Sequence, residues 1–130
     1  MADQNDGMSF EILAASIRDI RHDIPLLLSV LANKFEQALP ERVHVTRHSG
    51  LFTRDNSITS ITLEFDNVHY MLKHKAGRLE PLRQKVVHDV VLKTETLSFD
   101  DWIAEVLQQL IQESDHNENI RNMLDRFLTS

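Results

Sequence analysis

The sequence predicts an α+β fold: N-terminal helices, an antiparallel β-meander of four to five strands, and C-terminal helices packed on one sheet face. Three observations predict it. From Phe10 to Ala38 the apolar residues recur at gaps of three and four, the signature of one helix face. From about residue 41 to 93 the apolar residues alternate with polar ones, as on half-buried strands. From Leu97 onward helical spacing returns. Strands grouped between helices, rather than interleaved with them, suit an antiparallel sheet covered on one side.

The elements follow in order. Residues 1–8 are polar and acidic and read as a disordered start, with residues 9–130 forming a single domain. Ser9 is a plausible N-cap, and the first stripe runs Phe10, Leu13, Ile17, Ile20. Pro25 interrupts it. A proline inside a helix removes a hydrogen bond and clashes with the preceding turn. The region therefore divides near His22–Asp23, with Asp23 capping a second helix in whose first turn Pro25 is harmless. Leu39-Pro40 ends that helix.

Residues 41–48 read as a first strand, with Val43 and Val45 on one side and His44 and Thr46 on the other. A loop with Gly50 and Asp55-Asn56-Ser57 follows. Thr59 to Phe65 is the second strand, Asp66-Asn67 a tight turn, Val68 to Lys73 the third strand, and Ala76-Gly77-Arg78 the next turn. Leu79 to Lys93 contains Pro81, which favours an edge or a strand start. Its valine-rich remainder fits either one long bent strand or two short ones. Ser98, with Asp100 and Asp101 behind it, marks a helix start. Phe99, Trp102, Ile103, Val106, Leu107, Leu110 and Ile111 give that helix a broad apolar face. A further stripe of Ile120, Met123, Leu124, Phe127 and Leu128 is either its continuation or a second helix.

Composition narrows the function. With no cysteine among 130 residues, disulfides, thiolate zinc sites and cysteine nucleophiles are excluded. The opening residues lack the basic start and apolar run of a secretory signal, and no apolar run approaches the ~20 residues of a membrane span. A cytoplasmic protein with no membrane partner is expected. A net charge of −6 disfavours nucleic acid. The charge is unevenly spread: Glu41–Lys93 carries +3 and five of the seven histidines, while the flanks carry −9. Either the acidic helices are simply solvated, or the basic sheet meets an anionic partner.

No glycine-rich phosphate loop, nucleophile elbow or ligand cluster is present. His44 and His48 have ligand-pair spacing only on a helix; on a strand that spacing is ~13 Å. Asp100-Asp101 is better explained by the helix start, and Glu64 with Asp66 by a strand end. No cofactor, no metal and no catalytic residue is expected. Two surfaces remain. Arg42, His44, Arg47, Arg54, His69 and Lys73 are a candidate face for an anion or a partner. Ile120, Met123, Leu124 and Phe127 are a candidate apolar interface, because three or four helical segments carry more apolar surface than one sheet face covers.

In element order the chain resembles small bacterial accessory and chaperone-like domains. The surplus apolar stripes and the lack of catalytic residues, rather than that resemblance, point to a non-enzymatic adaptor or chaperone-like module that binds another protein or itself as a homodimer. The alternative is a small-ligand or anion-binding protein using the His/Arg sheet face.

Overall fold

A computed structural model describes residues 15–17, 19–48, 57–114, 118, 120–122 and 125. The expected disordered start therefore lies outside the described residues. Residues 15–17 and 19–20 are helical and end in a turn at Arg21-His22. Helix α1, Ile24–Ala38, begins where the proline argument places it. Asp23 is its N-cap and accepts a 3.2 Å hydrogen bond from the Leu26 N–H, and Pro25 lies in the first turn. Leu39 closes the helix, donating its N–H to the Phe35 carbonyl at 2.8 Å.

Five strands follow: β1 Val43–Arg47, β2 Ile58–Glu64, β3 Val68–Lys75, β4 Arg78–Val87 and β5 Val90–Thr96. All neighbours are antiparallel, and the sheet order is the chain order. The valine-rich stretch resolves into two strands, because His88 and Asp89 both take positive φ (51° and 65°) and make a tight reversal. That conformation suits a two-residue hairpin. Ala76 and Gly77, at φ 53° and 74°, make the same kind of turn between β3 and β4.

Pro81 is the one element residue that departs from the edge expectation. It lies inside β4, opposite Leu72 of β3, with β5 on the other side. The ladder tolerates it because its cross-strand partner on that other side is Leu97, just beyond the end of β5. Leu97 donates its N–H to the Pro81 carbonyl at 2.9 Å. Only the return bond, which needs a proline N–H, is missing.

Helix α2, Phe99–Ser114, starts on the Ser98 cap, whose Oγ accepts from the Asp101 N–H at 3.1 Å. Residues 118, 120–122 and 125 are again helical. Helix α1 lies against β1 and β2, and α2 against β4. The sheet's inward residues Ile61, Leu63, Tyr70 and Leu72 meet the buried stripes of both helices. Trp102, fully buried, is the joint. It meets Phe35 of α1 and Tyr70 of β3 edge-to-face, each at 6.4 Å, and stacks on Phe99 at 6.3 Å. Its indole N–H donates to the Leu82 carbonyl at 3.2 Å, so its polar atom is satisfied. Ile17 and Ile120 complete the core from the two ends.

Candidate interaction surface

The candidate His/Arg set divides between two sides of the sheet. Strand alternation puts His44, His69 and Lys73 on the face away from the helices. There His44 Nε2 lies 3.3 Å from Glu64 Oε1, and Glu64 is the register partner of His69. Lys73 is opposite Ser60 on one side and Glu80 on the other. Arg42 instead reaches across to α2, where it pairs with Glu113 at 3.5 Å. The register shift between Thr46 and Arg47 turns Arg47 toward α1. There it lines a shallow cleft with Asn33, Glu36 and Gln37. Arg54 lies outside the described residues. The described members of the set thus do not surround one pocket, and among the described residues no three His, Asp or Glu side chains converge as metal ligands would.

The candidate apolar interface is placed in part. Ile120 is fully buried in the core and presents no free surface. Met123, Leu124 and Phe127 lie outside the described residues.

Exposed apolar surface gathers elsewhere, on the β4–β5 hairpin. Val87, Val90, Val91 and Leu92 are exposed, with Val90 and Leu92 at 58 % and 59 %. Strand β5 is an edge of the sheet, so its outer backbone groups have no strand partner among the described residues. Their positions follow from the ladder. The bond from Leu97 to Pro81 makes that pair a hydrogen-bonded one, and the alternation of antiparallel ladders makes Glu95 with Arg83 and Lys93 with Lys85 the next two. The N–H and C=O groups of Thr94 and Thr96 therefore point to the open edge. The shift in register between Lys85 and Val86 bulges β5 at Leu92, confining the regular part of the edge to residues 93–96.

The other edge, β1, differs in its flank: its valines turn inward and its outward residues are polar, so among the described residues it carries no exposed apolar arm like Val90–Leu92.

A polar chain fixes the side chains along β5. The Tyr70 hydroxyl donates to Glu105 Oε1 at 3.0 Å. Arg83 Nη1 donates to both oxygens of Glu105 at 2.8 and 2.9 Å, and its Nη2 donates to Glu95 at 2.6 Å. Lys93 then pairs with the other oxygen of Glu95 at 2.9 Å. Burial, and then the bond to Glu105, push the Tyr70 phenol up to about 12. Hydrogen bonds to Glu105 and to Glu95 hold the Arg83 guanidinium above its ordinary range. Lys93, then Arg83, holds Glu95 below the usual carboxylate range. Charge-assisted bonds of this kind order long side chains that would otherwise be mobile. A cleft of about 310 Å³ beside this chain is lined by Asn67, Val68, Arg83, Lys85, Lys93 and Glu95.

Sequence reasoning missed this surface. Glu95, Lys93 and Glu105 carry no motif, and the hairpin that makes β5 an edge turns on His-Asp rather than a glycine pair. The available signal was the run Val90-Val91-Leu92, too apolar for a solvated edge. Comparison with known protein families, with curated proteins and with solved structures finds no match to the chain.

Proposed function

We propose that this chain is a non-enzymatic protein-interaction module that takes up an extended segment as a sixth strand along β5. The observation that supports it is an open edge strand carrying exposed Val90, Val91 and Leu92. Strand addition draws affinity from main-chain hydrogen bonds and specificity from alternate side chains. β5 offers the donors and acceptors of Thr94 and Thr96, side chains held in register by Arg83, and an apolar arm beside them. A cytoplasmic setting belongs to the same proposal; among the described residues no helix is long and apolar enough to cross a membrane.

The test is to select peptides from a displayed random library on the wild type and map them by amide chemical shifts. Peptides that shift Thr94 and Thr96, and that lose binding to Thr94→Pro, support the reading. Proline there removes an edge donor while sparing the β4 ladder. Failure to select any peptide, or shifts clustered away from β5, overturns it.

A further inference from the structure

We infer that the segment β5 takes up is β5 of a second copy, paired antiparallel about a two-fold axis at Thr94. This rests on the reading of β5 as a docking edge and names its occupant.

The register decides it. An axis perpendicular to the sheet pairs residues of the same face, so the centres open along the regular edge are Lys93, Thr94, Glu95 and Thr96, the last of which sets Glu95 against Leu97 and forms no ion pair. Centring on Lys93 or on Glu95 opposes identical charges. Centring on Leu92 sets Asp89 against Glu95 of the second copy. Like charges directly opposite one another are unfavourable. Centring on Thr94 sets Lys93 against Glu95 of the second copy, and Glu95 against its Lys93, so both ion pairs form at once.

The backbone agrees independently. Thr94 and Thr96 hold the outward N–H and C=O groups, so Thr94 with its own copy forms a hydrogen-bonded pair. Lys93 with Glu95 then falls on the closer, non-hydrogen-bonded pair. Within one chain Lys93 stands opposite Lys85 and pairs with its own Glu95, and Glu95 of the second copy adds a carboxylate on its open side. The same register carries Leu92 past Thr96 of the second copy, and brings Val91 to its Leu97 and Val90 to its Ser98, beside Phe99 at the helix start. Leu97 and Phe99 are only partly buried in the free chain. The result is a continuous ten-stranded sheet. A single strand-to-strand seam is small beside the ~1,200–2,000 Å² of stable interfaces, so the dimer is concentration-dependent.

The absence of cysteine permits a clean test. In a hydrogen-bonded antiparallel pair the Cα atoms stand about 5.5 Å apart, within disulfide range. Under mild oxidation Thr94→Cys should cross-link about tenfold or more faster than Thr46→Cys on the opposite edge, because pairing raises the local concentration of the two thiols. Sedimentation equilibrium should show a reversible wild-type dimer and a folded Lys93→Glu monomer, since that variant opposes glutamates. Equal cross-linking of the two cysteine variants, or a wild type that stays monomeric at all concentrations, overturns the self-pairing. If selected peptides still shift Thr94 and Thr96 in that monomer, the docking edge stands and only the occupant is wrong. If they do not, both readings fall.

Discussion

At the scale of single residues, two ionisations report the polar chain that ends on β5. Tyr70 is the chain's one tyrosine, so absorbance follows it without overlap. Its folded value, about 12, exceeds the ordinary 10.0. Ionisation thus favours the unfolded chain, and the phenol's contribution is fully present below pH 10 and lost as pH rises toward 12. Tyr70→Phe should flatten that alkaline limb and cost about 1 kcal/mol at neutral pH, the worth of one hydrogen bond. Urea denaturation across the range checks both; an unchanged limb would mean that neither burial nor Glu105 holds the phenol in its neutral form. Glu95 has the opposite sign. Its folded value is depressed, so its contribution is present above the ordinary carboxylate range and lost as pH falls through the lower folded value. Glu95→Gln should remove that part of the acid limb, visible in thermal melts taken at successively lower pH.

At the scale of elements, legibility followed how local the determining physics is. The Asp23 and Ser98 caps, the break before Pro25 and the turn at Ala76-Gly77 rest on contacts within a few residues, and all could be read directly. The strands β1 to β3 could be read from alternation, because one of their faces is buried and the other wet. β4 and β5 could be read equally as one bent strand or as two, because their turn uses His88 and Asp89 at positive φ. L-residues occupy that region at a cost of about 1–2 kcal/mol each, and glycine avoids it. Asp89→Gly should therefore stabilise the hairpin by about 1 kcal/mol in chemical denaturation. A loss of stability would show that the Asp89 side chain holds the turn. The candidate anion face is divided between two sides of the sheet for a related reason. Alternation assigns His44, His69 and Lys73 correctly to one face, but a bulge at Arg47 and a long reach by Arg42 to Glu113 are tertiary outcomes. Ser98→Ala, by contrast, removes a contact visible in both sequence and structure, and should cost about 1 kcal/mol.

For the whole molecule, the uneven charge has an internal explanation. The basic sheet faces an acidic helix: Arg42 meets Glu113 and Arg83 meets Glu105 across the sheet–α2 boundary. Part of the +3 middle is thus answered by the −9 flanks within one chain, and an anionic partner is not needed to account for it. The apolar surplus expected of the helices is likewise absorbed where it can be followed, since Ile17 and Ile120 both sit in the core. Among the described residues, the large apolar side chains left exposed are Leu26 on α1 and the group on the β4–β5 hairpin. This separates two equilibria that one variant each can address. Ile120→Ala removes a fully buried side chain and should lower unfolding stability by about 2–5 kcal/mol, by the same amount at low and at high protein concentration. Lys93→Glu should do the reverse. A dimer that binds only folded chains raises the melting temperature with concentration by mass action, and this variant should abolish that dependence, its dilute-limit melt differing from the wild type only by the exchange of the exposed Lys93–Glu95 pair for one with Lys85. If Ile120→Ala instead abolished association and left the dilute melt unchanged, the C-terminal stripe would be the interface, and β5 a solvated edge.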